Sequence, residues 1–146
     1  MKKINITVFV LLITTALWAQ HSVTGNFSAH SNVEIRLKGF NGFTEQVFSQ
    51  DTISVEGNFS LPYPHSYTGM AGIEIKDQGI GIPKEEQKQL FERFFRARNT
   101  YNIEGTGIGL NIVKQYVELM NGTIDFESQM NNGSTFKVKW PKPNEK

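Results

Sequence analysis

A chain of 146 residues with 38% hydrophobic and 20% charged side chains has the makeup of a globular protein, with room for one domain or two small ones. A net charge of +1 offers no field that would select nucleic acid or an anionic surface. The absence of cysteine excludes disulfides and thiolate metal sites, and His21, His30 and His65 lack ligand-like spacing, so no metal site is expected from them.

At the amino terminus Lys2 and Lys3 precede an apolar run from Ile4 to Trp18, followed by Ala19 and Gln20. A positive start, a short apolar stretch and a small residue at its end predict a secretory signal peptide over 1–19, cleaved after Ala19. The run is short of the roughly 20 apolar residues of a membrane span. An uncleaved anchor and a core element are the other readings of this segment. A leader of this kind predicts export to the periplasm or cell envelope.

From His21 to about Gly69 the pattern is that of β-structure. Val33, Ile35 and Leu37 alternate with Glu34, Arg36 and Lys38, the period of a half-buried strand. Gly39-Phe40-Asn41-Gly42 supplies turn chemistry, Val47 to Val55 reads as a further strand or two, and Gly57-Asn58 leads into Phe59-Ser60-Leu61 before Pro62 and Pro64. In composition these residues resemble the first strands of small secreted β-sandwich domains of Bacteroidetes envelope proteins.

A different grammar begins at Ile73. Ile73-Glu74-Ile75-Lys76 alternates as a strand and runs into Asp77-Gln78-Gly79-Ile80-Gly81-Ile82-Pro83. Pro83 suits a first helical turn, and a helix is predicted over Lys84 to Arg96 with Leu90, Phe91, Phe94 and Phe95 on one face. Ala97 to Glu104 is a polar loop. Gly105-Thr106-Gly107-Ile108-Gly109-Leu110 opens a second helix, with Val113, Tyr116, Val117 and Met120 at helical spacing and Asn121-Gly122 as its stop. Thr123 to Ser128 and Ser134 to Trp140, joined by Asn131-Asn132-Gly133, predict a hairpin.

Two of these loops carry chemistry. A carboxylate at a strand end, as Asp77 is, can accept a hydrogen bond from an exocyclic amine, and Gly79 and Gly81 let backbone curve closely around a flat ring. Gly105 to Gly109 stands at a helix start, where unpaired N–H groups and the helix dipole favour phosphate. Each motif alone is ambiguous, since glycine turns also serve plain packing.

Together, D-x-G-x-G-I-P, F-E-R-F-F-R, G-T-G-I-G-L and G-S-T-F, in this order, resemble the ATP-binding domain of sensor histidine kinases, part of the wider ATPase group that includes gyrase and MutL. The resemblance covers 73–140. It implies an adenine nucleotide ligand, with Asp77 on the adenine amino group, Gly79 and Gly81 shaping the base pocket, and Thr135 supporting the base through its hydroxyl. It further implies that Phe91, Phe94 and Phe95 anchor a mobile lid over Ala97 to Glu104, and that Gly105, Thr106, Gly107, Gly109 and Leu110 belong to the phosphate loop. Arg93 and Arg96 could reach the phosphates or be solvated charges.

The chain also departs from that family. No helix with metal-holding asparagines is expected before Ile73, and Asn26, Asn32, Asn41 and Asn58 sit in strand or turn contexts. No histidine lies in a phosphoacceptor helix. The composition change near Gly69–Gly72 has the look of a join between two pieces, from a gene rearrangement, a fragmentary gene or a hybrid sequence.

The expected organisation is a signal peptide over 1–19, a small β-meander over 20–69 and a partial kinase-type domain over 70–146. The fold class is α+β, a mixed sheet with two helices on one face. The expected function is that of an ATP-binding, histidine-kinase-like domain of two-component signal transduction, binding ATP weakly, with Mg²⁺ poorly held and catalysis defective. A phosphoacceptor domain from another chain is the implied partner, and nucleic acid is not. The alternatives are a secreted β-rich binding or structural protein carrying a kinase remnant, and a non-catalytic interaction fragment.

Overall fold

The computed structural model describes residues 21–26, 33–41, 44–64, 67 and 69–141. The leader predicted over 1–19, His30, Asn32 and His65 lie outside the described residues.

The alternation read in the sequence becomes strands where expected. They are β1 (His21–Asn26), β2 (Glu34–Asn41), β3 (Thr44–Thr52), β4 (Asn58–Tyr63), β5 (Met70–Lys76), β6 (Thr123–Gln129) and β7 (Gly133–Trp140), and one helix, α1 (Gly109–Leu119), precedes β6. A five-stranded sheet has the order β3-β2-β5-β7-β6, and β1 and β4 form a separate two-stranded ribbon. The architecture is α+β. Every strand pair is antiparallel, where a mixed sheet was expected.

The register aligns apolar side chains into rows on one face of the large sheet. Ile35 pairs with Ile75 and Leu37 with Ile73. Ile75 in turn pairs with Phe136 and Ile73 with Val138, which sit opposite Phe126 and Ile124. The ribbon covers the β2–β5 half of this face. Ile35, Leu37, Ile53, Phe59, Leu61 and Ile73 form the buried core, with Val23, Tyr63 and Trp140 packed against it. The core is therefore largely strand on strand.

The opposite face is a lattice of charges. Glu74 is bound by Lys38 (2.6 Å) and Arg36 (3.3 Å), and Lys38 also holds Glu45 (2.6 Å). Burial pulls the Lys38 ammonium down, but its hydrogen bonds to Glu45 and Glu74 outweigh that and raise it. Lys137 pairs with Glu127 in the same way at the far side.

Two expectations change here. The composition break at 69–72 falls inside a hydrogen-bonded sheet, because β2 pairs with β5 from Glu34↔Lys76 to Phe40↔Met70. The Tyr67 hydroxyl closes that corner, accepting from Phe40 N–H (2.6 Å) and lying 2.6 Å from the Met70 carbonyl. β2 thus occupies one edge of β5, within the same sheet as β6 and β7. The second correction concerns the helix predicted over 84–96. Only Gln87–Gln89 forms a 3-10 turn, and turns make up most of the rest to Phe94. A lone helix of this length is marginal in water and needs an apolar face to bury. Leu90, Phe91 and Phe95 are partly buried from this irregular backbone, while Phe94 is 72% exposed.

Candidate functional site

The apolar rows end together in polar residues. Beyond Ile75 comes Asp77, beyond Phe136 comes Ser134, and beyond Phe126 comes Ser128. Asp77 N–H donates to the Ser134 carbonyl (2.9 Å), which keeps the two strands paired to this edge. Asp77 Oδ1 accepts the Gly79 N–H (2.7 Å), closing a tight local turn and fixing the carboxylate's direction. Among the described residues Oδ2 has no hydrogen-bond partner, so one carboxylate oxygen is free for an external donor.

The β6–β7 turn packs backbone to backbone against this loop. A Cβ on Gly133 would lie 2.1 Å from the Asp77 carbonyl oxygen, and one on Gly81 would lie 2.0 Å from that of Gln129. Both glycines also have positive φ, 84° and 67°. No other residue fits either position. Three further bonds fix the loop to the hairpin: Asn131 N–H to the Ile80 carbonyl (2.9 Å), Ile82 N–H to Ser128 Oγ (2.9 Å), and Gln87 Nε2 to the Ser128 carbonyl (3.0 Å).

Thr135 is not part of this edge group. It stands opposite Lys76 and Glu127, on the charged face, while Ser134 shares the Asp77 face. Ser134 is 8% exposed and its Oγ lies 2.9 Å from Ser128 Oγ. The sequence reading named Thr135 and not Ser134. The signal was available, since Ser134 is in phase with Phe136, Val138 and Trp140, and a shift of one residue changes the face.

Gly105, Thr106, Gly107, Gly109 and Leu110 lie at the start of α1. No side chain caps this end, so its first-turn N–H groups have no side-chain acceptor. Nothing lies within 4 Å of a Cβ on Gly105, whereas one on Gly107 would be 2.6 Å from the Phe95 carbonyl oxygen. Gly107 thus rests on the Phe94–Phe95 backbone.

The three phenylalanines part company. Phe91 packs on Phe126 (5.7 Å between centroids), which stacks on Phe136, and Lys114 Nζ lies 5.7 Å from the Phe91 ring centre. Phe95 is half-buried. Phe94 points to solvent with φ 64°, an unusual conformation for a bulky residue. Arg93 and Arg96 are used locally: Arg93 Nε donates to Asn111 Oδ1 (3.4 Å), and Arg96 Nη2 donates to the carbonyls of Thr100 (2.7 Å) and Ile103.

The segment predicted as a mobile lid is tied down. Arg98–Thr100 forms a 3-10 turn. Glu86 accepts the Arg98 N–H (2.9 Å) and pairs with its guanidinium, and Asn99 Nδ2 donates to the Gly81 carbonyl (2.8 Å). The Arg98 N–H, and then its guanidinium, hold the Glu86 carboxyl below the usual glutamate range.

Two of the described asparagines are engaged within the chain. Asn26 Nδ2 is bonded to the Glu56 carbonyl and Asn58 Oδ1, and Asn111 is occupied by Arg93, Gln115 and the Phe91 carbonyl. No group of three His, Asp or Glu is placed to hold a metal among the described residues. Nor is any helix there long and apolar enough to cross a membrane.

The family profile described as histidine kinase-, DNA gyrase B-, and HSP90-like ATPase matches residues 28–144, so it takes in β2 to β4 as well as the stretch from 73 that carries the motifs. The sensor protein SrrB of Staphylococcus aureus (strain NCTC 8325 / PS 47) is 45% identical over 71 residues, 47% of this chain and 12% of that protein. Among solved structures, a mycobacterial sensor histidine kinase, MprB, is 35% identical, with 51% of this chain and 52% of that chain covered and a TM-score of 0.46. The NMR structure of the histidine kinase domain of the E. coli osmosensor EnvZ is 32% identical, with 53% and 48% covered and a TM-score of 0.36. The chain spans only 12% of the length of the curated relatives it matches. By the reach of the profile and by its motifs, the chain belongs to the histidine kinase-, DNA gyrase B- and HSP90-like ATPase family.

Proposed function

We propose that this chain binds adenine nucleotides weakly at the Asp77 edge, in the manner of a sensor-kinase ATPase domain, and does not turn ATP over. The observation that carries the reading is Asp77 itself: one carboxylate oxygen is locked by Gly79 N–H and the other is left to accept an exocyclic amine. Gly79 and Gly81 line the loop beside it. Ser134, on the same face, replaces Thr135 as the supporting hydroxyl. The uncapped start of α1, from Gly105 to Leu110, is the phosphate end.

Weak binding and the lack of turnover follow from the metal. Phosphoryl transfer depends on positioning and on cations that neutralise developing charge, and the described residues before Asp77 are strands with no asparagine set of that kind. A kinase role would need a phosphoacceptor domain as partner. The alternative of an exported β-rich protein with a kinase remnant rests on the leader expected over 1–19. A product secreted from a Gram-negative host and lacking about 19 residues by mass would support export, and retention of Met1 would oppose it.

Calorimetric titration of the full chain with ADP and ATP, with and without Mg²⁺, tests the main reading. Binding that changes little with Mg²⁺ is expected. Asp77→Asn should weaken it by at least about tenfold, the scale of a lost hydrogen bond to a charged group. Ser134→Ala should weaken it several-fold, and Thr135→Ala should leave it unchanged. Retained affinity in Asp77→Asn would reduce Asp77 to a turn residue.

A further inference from the structure

Ser128 and Ser134 stand opposite each other in the β6–β7 hairpin, against the base loop. Their hydroxyl oxygens lie 2.9 Å apart, and either can be the donor. Ser134 is 8% exposed and Ser128 is half-buried, so the protein supplies most of their partners. Two other groups limit what Ser128 can do. The Ile82 N–H (2.9 Å) can only donate to its oxygen, and the Gly133 carbonyl (3.1 Å) can only accept its proton.

A serine hydroxyl has one proton and two lone pairs. When the Ser128 proton points to the Gly133 carbonyl, the contact with Ser134 is a hydrogen bond only if Ser134 donates. When the Ser128 proton points to Ser134, that oxygen is the acceptor and its own proton is free to leave the pair. The two hydroxyls therefore turn together. The turn reverses what Ser134 offers on the Asp77 side, an acceptor in the first arrangement and a donor in the second. Ser128 keeps the Ile82 N–H bonded in both, so the base loop is held alike in each.

We propose that Ser128 is a positioning residue that sets the proton direction of Ser134, so that the site reads the N1 edge of a 6-aminopurine in either polarity. The inference rests on the nucleotide-binding reading above, in which Asp77 takes the 6-amino group and Ser134 supports the ring beside it. A bare N1, as in adenine, takes the donor arrangement: Ser128 donates to Ser134, and Ser134 donates to the ring. A ring with a proton on N1 takes the other: N1–H donates to Ser134, Ser134 to Ser128, and Ser128 to the Gly133 carbonyl. Without the Ser128 hydroxyl, Ser134 can still donate to a bare N1. Facing an N1–H it keeps a buried proton with no acceptor, and an unpaired buried donor is costly.

The test titrates the full chain, as wild type, Ser128→Ala and Ser128→Thr, with ADP and with isoguanosine diphosphate. The second probe keeps the 6-amino group and carries a proton on N1. Its extra 2-oxo group is common to every titration, so the ratio of the two affinities is compared between variants. Ser128→Ala should raise the preference for ADP by about tenfold, the scale of one buried donor left unpaired. Ser128→Thr keeps the hydroxyl and should hold the wild-type ratio. If Ser128→Ala folds poorly, Ser128→Cys takes its place, and its weakly bonding thiol should raise the ratio by less. A merely structural role, through the Ile82 anchor, would weaken both nucleotides by one factor and leave the ratio where it was. An unchanged ratio with sound ADP binding by wild type would overturn the relay and leave the nucleotide reading standing. So would a wild type that takes ADP and rejects isoguanosine diphosphate. If wild type binds neither probe, the nucleotide reading falls and the relay with it.

Discussion

The two halves of the sheet's apolar face are covered by different means. Over β2 and β5 lies the β1–β4 ribbon, and there Ile35 and Leu61 are fully buried and Phe59 and Leu37 nearly so. Over β6 and β7 lie α1 and the 84–107 segment, where Val117 is the one buried residue of the helix while Tyr116 and Leu119 are more than 60% exposed, at 64% and 78%. The first half is held by apolar contact, which is additive and tolerant of direction. The second adds to the Phe91–Phe126–Phe136 ring contacts a set of individual hydrogen bonds, among them Asn111 to Phe91, Gln87 to Ser128, Asn99 to Gly81 and Arg98 to Glu86. The buried core and the candidate site are thereby separated in space, and the half that carries the candidate site can rearrange without unfolding the other.

The strongest way to break that contrast is to empty the ribbon's core. Leu61→Ala should cost about 2–5 kcal/mol, read as a drop in the denaturation midpoint of the whole chain, because Leu61 is fully enclosed. A cost under about 1 kcal/mol would mean that the ribbon is not the seat of stability.

A medium effect is expected from acid. The Glu86 carboxyl is held below its ordinary range by Arg98, so its contribution is complete above the ordinary glutamate value and is lost as pH falls through the lowered value. Amide exchange at 97–104 should therefore rise on acidification below the glutamate range, after correction for intrinsic rates. Glu86→Gln should remove that dependence while leaving the acid response of β2 and β5 in place. An identical acid response in wild type and variant would detach the segment from Glu86.

The smallest effect is expected at Phe94. Its side chain is exposed and its φ of 64° is strained for a bulky residue. Phe94→Gly should relieve that strain against the extra freedom glycine has when unfolded, a net change within about 1 kcal/mol of zero in thermal melting. A loss above about 2 kcal/mol would show that Phe94 is packed against something in solution.

Much of this architecture was legible in the residues. Period-two alternation in 33–38 and 134–140, the Asn131-Asn132-Gly133 turn, the helical spacing after Gly109 and the carboxylate ahead of two glycines are local signals. They follow from side-chain direction and backbone freedom, which a short stretch of chain determines by itself. The family resemblance rested on the same local motifs, and the profile match over 28–144 agrees with it.

Three matters depended on what each stretch meets in space. Whether 84–96 is a helix was decided by tertiary packing, which buries part of Leu90, Phe91 and Phe95 from turns and leaves Phe94 out, since a helix this short needs tertiary burial. Which hydroxyl joins Asp77 was decided by register, which put Ser134 on its face and Thr135 on the other. And the break in composition at 69–72 marks no break in the fold, because antiparallel pairing joined β2 to β5 across it. Strand pairing is non-local: the hydrogen-bonding edge of β5 is the same for any partner strand, and only the assembled sheet determines which segment takes it.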